Sequence, residues 1–482
     1  MSSIGKGADM NTRRDFIRNS AFSSAAAVLA GCAAERFGSL GGAGPMSGYA
    51  DKPFEGAIRV GLLGVGRRGL MALRRLACCV TDVEVTAICD IDQRKVSLCN
   101  RFLEDRGLRR AAEYVGPEAY KALCDDPDVD VVYNSALREL HTRMNTYAMR
   151  AGKHVFTDVP GGMTIEECWE NVETAEATRR HCMMLENYCY NETVLLAMNL
   201  AASGRLGEVV HARCGYVHDQ RDLFRREPSR AKDSVNRPGN WYPTHGIGPA
   251  ALCLNVNRGD RLDYLVSLET DSVSFAEYIG RAIPKDDWKA NVRMRHGDLN
   301  TTLIRTAKGH SIFIEHDVSL ARPHSYLDLV SGTRGSIRCQ PDLRISLEGP
   351  DGPPKNALMT WMSEAETEKI RRAYMHPMWR EGGDLGKYLD GGHWGGDFLM
   401  DNRWAYCLKH GLPLDLSVYD LATWSSLVEL TRRSVENRSE PVDIPDFTRG
   451  GWKTAKPFPI VSVPRAFLPS ADSSHWGELP QV

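Results

Sequence analysis

Three glycines and one aspartate in the first third of the chain have the types and spacing needed to bind a phosphate-bearing ligand. Gly64, Gly66 and Gly69 form a G-x-G-x-x-G motif directly after the apolar run 58–63. Glycines at these positions permit a tight turn and let a pyrophosphate lie close to the N-terminus of the following helix. Asp90 lies 21 residues after Gly69, at the end of a second apolar run, where a carboxylate accepts hydrogen bonds from ribose hydroxyls. These residues predict a dinucleotide-binding site.

Charged residues beside the motif bear on which dinucleotide is bound. Asp90 favours NAD, because its carboxylate would repel the 2′-phosphate of NADP. Arg67 and Arg68 lie inside the glycine motif and could instead pair with that phosphate. We therefore predict NAD as the cofactor and keep NADP as the alternative.

The elements that must position this motif alternate between strand and helix over residues 57–187. Short apolar runs predict buried parallel strands, and the segments between them predict helices. The predicted strands are 58–63, 83–89, 129–134, 154–157 and 182–185, and the predicted helices are 70–79, 92–106, 139–150 and 164–180. Thr164 and Glu167 form a capping box at the start of the last helix. The pattern predicts an α/β domain with a doubly wound Rossmann sheet, whose strand ends gather at the cofactor.

A second domain, over residues 188–440, is predicted from a change in the pattern. Longer strands in series, separated by turn signals, predict a largely antiparallel open sheet in an α+β domain. The predicted strands are 208–218, 264–277, 300–306, 311–317, 326–331 and 336–338, and the predicted helices are 191–202, 396–410 and 418–436. The Pro-rich tail 441–482 is expected to wrap the surface.

The first 31 residues predict an export signal rather than part of the fold. Arg13 and Arg14 are followed by an Ala-rich run, 21–30, that is too short to cross a bilayer as a helix. The combination resembles a twin-arginine signal, which transports folded proteins. Met1 and Met10 are both possible start residues, because the signal needs nothing before Met10.

The residues after this run predict a lipid anchor and a linker. Leu-Ala-Gly-Cys at 29–32 resembles a bacterial lipobox, in which Cys32 becomes the lipidated first residue. The Gly-rich segment 32–56 predicts a flexible tether. We expect export to the periplasm or cell envelope, with Cys32 as the membrane contact.

Charge and cysteine content exclude several classes of protein. The formal net charge of the 482 residues is −2, whereas a nucleic-acid partner needs a Lys/Arg excess. The 13 cysteines are too few for a disulfide scaffold, and no CxxC pair occurs, so we expect most of them to be small buried packing residues. The histidines show no metal-ligand spacing, and no metal site is predicted.

The order of the two domains resembles the glucose–fructose oxidoreductase and inositol dehydrogenase superfamily, over roughly residues 57–437. Dehydrogenases of that superfamily usually have Glu-Lys-Pro where this chain has Asp158-Val159-Pro160. Their lysine lies at the substrate. Its replacement by Val159 argues against an ordinary dehydrogenase.

Longer motifs resemble glycoside hydrolase family 109, whose members are NAD-dependent α-N-acetylgalactosaminidases. The matching segments are Leu185 to Asn187, Tyr216 to His218, Trp241 to Pro249 and Gly391 to His393. The resemblance implies cofactor contacts at Arg68, Gly69, Asp90, Arg138, Glu139, Leu140, His141, Asp158, Val159 and Asn187. It implies sugar contacts at Tyr216, Arg230, Tyr242, Pro243, Thr244 and His245. A further tyrosine of the family falls on His324, which leaves the anomer preference open.

The same resemblance implies a tightly bound NAD that is used and restored within each turnover. Most glycosidases use two carboxyl groups beside the bond, and nothing in this sequence points to such a pair. The implied route is oxidation at carbon 3 of the sugar, elimination of the glycosidic oxygen, addition of water and reduction. Net redox is zero, so no external oxidant is consumed.

Five residues are assigned roles in that route. His245, in a Gly- and Pro-rich segment that predicts a loop, is the expected base for the carbon 3 hydroxyl, since imidazole titrates near neutral pH. Tyr216 is expected to move the carbon 2 proton, as a phenol ionised by nearby positive charge. Glu186 is expected to hydrogen-bond the sugar or relay protons. His218 would orient Tyr216 or bind the sugar, and Arg230 would hold its N-acetyl or hydroxyl side.

Two other functions stay open at this point. The first is an exported NAD(P)-dependent sugar oxidoreductase of the same superfamily, which Val159 argues against. The second is a sugar-binding lipoprotein without catalysis. The sequence does not specify the natural glycan, the aglycone or the stoichiometry, although the resemblance suggests that the open sheet forms a homo-oligomer.

Overall fold

The computed structural model describes residues 45–349, 360–388 and 392–469. The predicted signal over 1–31, the lipidated Cys32 and the first part of the predicted tether lie outside these residues, as does the end of the predicted wrapping tail. Within the described ranges, no helix combines the length and the apolar character that crossing a membrane requires.

The first half folds as the predicted doubly wound α/β domain. Six parallel strands form one sheet in the order β3-β2-β1-β4-β5-β6. Its strands are β1 (Ile58–Leu63), β2 (Val83–Asp90), β3 (Ala112–Val115), β4 (Val131–Asn134), β5 (His154–Thr157) and β6 (Cys182–Met184). Its helices are α1 (Arg67–Cys78), α2 (Gln93–Glu104), α3 (Tyr120–Asp125), α4 (His141–Arg150) and α5 (Ile165–Thr178). The central strands are buried on both faces, which explains why their apolar runs are continuous.

Two elements of this domain were not predicted, and several boundaries differ by one to three residues. The edge strand β3 has a weak sequence pattern because it is largely solvent-facing, and the helix α3 has one because it contains only 6 residues. Helix α1 begins at Arg67, three residues before the predicted start at Leu70. The capping box is confirmed, since the Thr164 hydroxyl accepts a 3.2 Å hydrogen bond from Glu167 N.

The second half contains the predicted open sheet. Eight strands run in the order β13-β12-β11-β7-β10-β9-β8-β14, and all pairs are antiparallel except β10 with β7. The strands are β7 (Val209–Val217), β8 (Leu262–Glu269), β9 (Leu299–Thr306), β10 (Ser311–Asp317), β11 (Ser325–Gly332), β12 (Gly335–Arg338), β13 (Arg344–Leu347) and β14 (Val442–Asp443).

Several helices of the second half pack against this sheet, and others return to the first domain. They are α6 (Glu192–Ala202), α7 (Arg221–Arg226), α8 (Pro228–Asn236), α9 (Thr244–Cys253), α10 (Ser274–Ala282), α11 (Glu364–Tyr374), α12 (Pro377–Tyr388), α13 (Gly396–His410), α14 (Val418–Ser425) and α15 (Leu427–Glu436). Helix α13 packs on the parallel sheet, where Trp404 stacks on Phe156 with ring centroids 4.4 Å apart. The predicted helix 418–436 is divided into α14 and α15 at Ser426.

The predicted strand 264–277 is wrong in its second half. Strand β8 ends at Glu269, and α10 begins at Ser274. The Asp298 carboxylate accepts hydrogen bonds from the backbone N–H groups of Ser274 (2.7 Å) and Phe275 (3.2 Å), which stabilises the start of the helix. This contact spans more than twenty residues, so local sequence does not reveal it.

The described part of the predicted tether is packed rather than free. Met46 is buried, and its N–H donates a 3.1 Å hydrogen bond to the Tyr419 hydroxyl. Asp51 pairs with Arg180 at 2.7 Å and with His154 Nε2 at 3.3 Å. Residues 45–56 are therefore fixed beside the N-terminal ends of β5 and β6, and the prediction of a flexible tether is wrong for them.

The cysteines are packing residues, as predicted. Twelve free thiols occur in the described residues, and all except the half-buried Cys78 are buried. Burial raises the pKa of the Cys89 and Cys407 thiols to about 12, so these groups stay protonated.

Candidate active site

His245 lies in the first turn of α9, not in a loop as the sequence predicts. Two glycines of the same run explain how this helix reaches the sheet. A Cβ on Gly246 would lie 2.7 Å from the backbone N of Gly215 in β7, and one on Gly248 would lie 3.0 Å from Glu186 Cγ. The glycines therefore let α9 pack directly on β7 and on Glu186, two residues after β6.

His245 and Glu186 form a buried pair. His245 Nδ1 lies 2.7 Å from Glu186 Oε1, which also accepts a 3.3 Å hydrogen bond from Tyr188 N. Glu186 is fully buried, and its Oε2 has no hydrogen-bond partner among the described residues. With Nδ1–H donating to the carboxylate, Nε2 keeps a free lone pair and His245 is prepared to accept a proton.

Four tyrosines surround the His245 imidazole, and we call them the aromatic cluster. The distances from their ring centroids to that of His245 are 4.5 Å for Tyr188, 4.9 Å for Tyr242, 5.6 Å for Tyr216 and 5.7 Å for Tyr326. The sequence analysis assigned sites to Tyr216 and Tyr242 only. Rings of this kind form walls that suit the apolar face of a sugar ring while their hydroxyls remain available for hydrogen bonds.

Tyr216 is protonated at neutral pH in this structure. Burial raises the pKa of its phenol, and the positive charges of Arg230 and Arg138 and the hydrogen bond from Gln220 offset this only in part. The expectation of an ionised phenol is therefore wrong for the protein without substrate. Gln220 Nε2 also lies 3.1 Å from His218 Nδ1, so His218 is joined to Tyr216 through this amide.

Two guanidinium groups flank Tyr242. The Arg230 Cζ lies 5.1 Å from the centroid of the Tyr242 ring, and the Arg138 Cζ lies 5.8 Å from it. Arg138 Nη1 lies 3.1 Å from a carboxylate oxygen of Asp233 in α8. The Nη1 atoms of Arg138 and Arg230 are both buried, and neither has a hydrogen-bond partner in the described part of the chain. Arg138, expected at the cofactor, thus also borders the sugar side of the site.

The remaining predicted sugar contacts differ in exposure. Thr244 is fully buried, and its hydroxyl has no hydrogen-bond partner among the described residues. Pro243 precedes α9 and accepts hydrogen bonds from the N–H groups of Gly246 and Ile247. His324 is half-buried at the opening, with its ring edge-to-face against Tyr326 at 5.1 Å.

The glycine motif forms a cradle that fits a pyrophosphate. Gly64 has a φ of +79°, and a Cβ on Gly69 would lie 1.9 Å from Gly64 O, so both positions require glycine for the turn itself. A Cβ on Gly66 would meet nothing within 4 Å. Gly66 also caps α1 without any side-chain hydrogen bond, so the helix N-terminus opens onto free space, where an anion is favoured.

The ribose-binding acid is fixed at the end of β2. Asp90 Oδ2 accepts a 2.8 Å hydrogen bond from Val65 N, and Oδ1 accepts one of 3.0 Å from Asp92 N. These bonds hold the carboxylate beside the glycine turn. The donor set and the cradle together fit NAD.

A network of charges joins α1 to α13 between the cradle and His245. Arg68 pairs with Asp158 at 3.3 Å and with Asp397 at 3.4 Å, and Arg75 lies 3.6 Å from Asp397. Burial would raise the pKa of the Asp397 carboxyl, but Arg75 and Arg68 more than offset this and hold its pKa well below the usual range. Asn187 Nδ2 donates to Asp397 Oδ1 at 2.9 Å, which brings this predicted cofactor residue into the network.

The other predicted cofactor residues occupy two environments. His141 is buried, with Nδ1 2.8 Å from Pro160 O and Nε2 3.1 Å from Ala136 O. Val159, which follows Asp158 in the sequence, is also buried. Glu139 is exposed and pairs with Arg237 at 3.3 Å, and Leu140 is half-buried.

Several residues of the site were missed by sequence analysis. They are Tyr188, Tyr326, Asp397 and Trp394, of which Trp394 stacks on His324 with ring centroids 5.5 Å apart. Tyr188 directly follows Asn187, a predicted cofactor residue, and this neighbour was the one local indication that Tyr188 belongs to the site. Gly391 of the predicted Gly-Gly-His motif lies outside the described residues.

Two family models match the chain. Residues 190–454 match the model for the glycosyl hydrolase 109 C-terminal domain, and residues 58–186 match the oxidoreductase family model with an NAD-binding Rossmann fold. The chain belongs to glycosyl hydrolase family 109. A family 109 protein of Shewanella amazonensis is 40% identical over 459 residues, which cover 93% of this chain and 99% of the relative. The α-N-acetylgalactosaminidase of Bacteroides fragilis is 40% identical over 410 residues, covering 82% of this chain and 93% of that protein.

Solved structures share the two-domain fold of this family 109 chain at low identity. An oxidoreductase domain protein from Kribbella flavida has a TM-score of 0.61 and 16% identity, covering 81% of this chain and 100% of that one. A myo-inositol dehydrogenase from Lactobacillus casei, solved with NAD(H) and myo-inositol, has a TM-score of 0.56 and 18% identity, covering 81% and 99%. These similarities confirm the predicted two-domain fold.

Proposed function

We propose that this protein hydrolyses terminal N-acetylgalactosamine, with α-linked substrates favoured, and that a bound NAD takes part in each turnover. The observation that carries the proposal is the buried pair of His245 and Glu186, next to the glycine cradle and inside the aromatic cluster. The 40% identity to an enzyme named α-N-acetylgalactosaminidase supports the choice of sugar.

The His245–Glu186 pair supplies a base at the sugar hydroxyl. Glu186 orients the imidazole and stabilises the cation that forms when His245 Nε2 takes the proton from the carbon 3 hydroxyl. When bound, NAD supplies a reversible acceptor for the hydrogen on carbon 3. The resulting carbonyl acidifies the hydrogen on carbon 2, so the glycosidic oxygen can leave by elimination.

Tyr216 is the residue that we propose for proton transfer at carbon 2. Its phenol is protonated without substrate, and the charge of Arg230 favours the ionised form. Before the elimination the phenol releases its own proton to water. The phenolate then takes the proton from carbon 2, and the departing glycosidic oxygen takes a proton from water. Water then adds at carbon 1, carbon 2 regains a proton, and His245 returns its proton to the carbon 3 oxygen. We expect the hydroxyls of Tyr242 and Thr244 to hold the sugar during these steps.

We propose that NAD is tightly held and restored within the site. Three ion pairs join the segment 221–237, which contains helices α7 and α8, to residues of the first domain on the cofactor side. These pairs are Arg67 with Glu227 at 3.5 Å, Arg138 with Asp233 at 3.1 Å and Arg237 with Glu139 at 3.3 Å. Such a cover supports slow exchange of the cofactor.

We also propose export through the twin-arginine route and a lipid anchor at Cys32, in the periplasm or cell envelope. The support is the sequence pattern of residues 1–32. A glycan is the proposed partner, and a homo-oligomer through the open sheet is a further possibility. Expression with Cys32→Ser tests the anchor, since the protein should then leave the membrane fraction.

The proposed function is tested with purified protein and a nitrophenyl α-N-acetylgalactosaminide, without added cofactor. Steady release of nitrophenol over many turnovers, with free N-acetylgalactosamine as product, is the expected result. Accumulation of a sugar ketone or lactone would show instead a sugar oxidoreductase. Binding without product would show a sugar-binding protein. Absorbance and mass spectrometry of the purified protein should detect bound NAD.

A further inference from the structure

An exposed tryptophan stands at the opening of the site. Trp394 lies in a 3₁₀ turn (His393–Gly395), and 59% of its surface is exposed. Its φ is +54° and that of His393 is +43°, a left-handed conformation that is uncommon for non-glycine residues. The glycines on either side, Gly392 and Gly395, also have positive φ values. A large apolar ring presented to water by such a strained turn suggests a binding role.

The turn is fixed to the site on its inner side. His393 Nδ1 lies 2.8 Å from Asp397 Oδ2, the carboxylate that also pairs with Arg68. The chain therefore holds this turn to the network between the two domains. Trp394 follows directly and extends outward from that anchor.

Aromatic rings form a row from the catalytic histidine to Trp394. Tyr326 lies 5.7 Å from His245, His324 lies 5.1 Å from Tyr326, and Trp394 lies 5.5 Å from His324. The planes of Trp394 and His324 are 19° apart, so one face of the indole is covered and the other is open. The row extends the aromatic cluster by two rings toward solvent.

His324 is fixed between the aromatic cluster and Trp394. Its ring meets Tyr326 edge-to-face at 5.1 Å and His218 edge-to-face at 6.2 Å. These contacts hold His324 against the covered face of the indole, so that the open face is the platform for a ligand.

We propose that Trp394 binds the second sugar ring of the substrate, beyond the sugar held at His245, and that His324 positions the indole from its covered face. The open indole face suits the C–H face of a pyranose. The inference rests on the proposed function and adds a residue that selects substrates whose leaving group carries a sugar ring.

The test compares two substrates that differ only in the leaving group. One is the methyl α-N-acetylgalactosaminide, and the other is a disaccharide in which the same sugar is α-linked to a hexose. Trp394→Ala should lower kcat/KM for the disaccharide about tenfold, most of it through KM, because the loss of one aromatic contact has this size. The loss for the methyl glycoside should be several-fold smaller.

Two controls separate this site from a general effect on folding. Trp394→Phe retains an aromatic face and should keep most of the preference for the disaccharide. Trp288→Ala removes another exposed tryptophan, whose ring has Lys289 Nζ at 5.4 Å, and should leave the ratio of the two kcat/KM values at its wild-type value. The thermal unfolding midpoint and bound NAD are measured for each variant.

Equal losses for both substrates, or no loss for the disaccharide, would overturn the inference. If the wild type hydrolyses neither glycoside, the proposed function fails and the second-ring site is tested by calorimetry. In that case, equal affinity of wild type and Trp394→Ala for the disaccharide rejects the site, and weaker binding by the variant supports it.

Discussion

The two sides of the active site are built differently. On the cofactor side, charged groups pair with each other, since Arg68 contacts Asp158 and Asp397 while Asn187 donates to Asp397. On the sugar side, aromatic rings dominate, and four tyrosines surround His245. Buried polar atoms without a hydrogen-bond partner within the described residues occur on both sides, for example Asn187 Oδ1 on the cofactor side and Glu186 Oε2 on the sugar side. The difference therefore lies in how each side binds its ligand, through paired charges on one side and through aromatic contact on the other.

The largest effect is expected on the sugar side, at the proposed base. His245→Phe keeps an aromatic ring among the tyrosines but removes the proton acceptor, so kcat should fall by roughly 10³-fold. Initial rates with the nitrophenyl substrate measure this, and the content of bound NAD should stay at the wild-type level. A variant that retains more than about a tenth of the wild-type kcat would show that His245 is not the base.

A smaller loss is expected when the partner of His245 is neutralised. Glu186→Gln keeps the size of the side chain but no longer stabilises the imidazolium, and kcat should fall about 10²-fold. In the His245→Phe background the same change should cost little, because the two residues act as a unit. Independent, multiplying losses would contradict the pairing.

The role of the glycine motif on the cofactor side is tested by comparing substitutions at two of its glycines. Gly66→Ala places a methyl group in the open space beside α1, so it should weaken NAD binding about tenfold without lowering the unfolding midpoint of the cofactor-free protein. Gly69→Ala drives a Cβ to 1.9 Å from Gly64 O and should destabilise the fold itself, by about 1–3 kcal/mol. Fluorescence titration and thermal unfolding separate the two effects. Equal behaviour of the two variants would show that Gly66 does not face the cofactor.

An effect on stability alone, and not on binding or catalysis, is expected away from both sides, beside the docked residues 45–56. Burial and the neighbouring His154 lower the pKa of His181 to about 3. His181 therefore takes up a proton at a higher pH in the unfolded chain than in the folded protein. The free energy of unfolding falls as the pH decreases from about 6.5 toward about 3. Replacing His181 by Phe should reduce the loss of stability between pH 7 and pH 5 by about 2 kcal/mol, measured by urea unfolding. An unchanged pH dependence would show that His181 does not titrate in this range.

Local pattern predicted the cofactor side better than the sugar side. The buried runs of β1 and β5 and the glycine motif are continuous in sequence, so the Rossmann sheet and the Asp90 carboxylate were predictable. His245 and Glu186 were each predicted from motifs. Their contact was not, because it joins segments 59 residues apart.

The rest of the sugar side depends on packing between distant segments. Tyr188, Tyr326 and Trp394 come from three parts of the chain, and an aromatic residue alone does not indicate whether it lines a pocket or fills a core. The ionisation of Tyr216 was predicted wrongly for a similar reason. The nearby positive charge was expected, but the extent of burial that opposes it was not.

The central claim is that hydrolysis proceeds through oxidation at carbon 3 and loss of the carbon 2 hydrogen. It is tested most directly by running the reaction in deuterated water and analysing the released N-acetylgalactosamine by mass spectrometry and proton NMR. The account predicts deuterium at carbon 2 of the product, formed without added cofactor. Retention of the original hydrogen at carbon 2 in all of the product would contradict it.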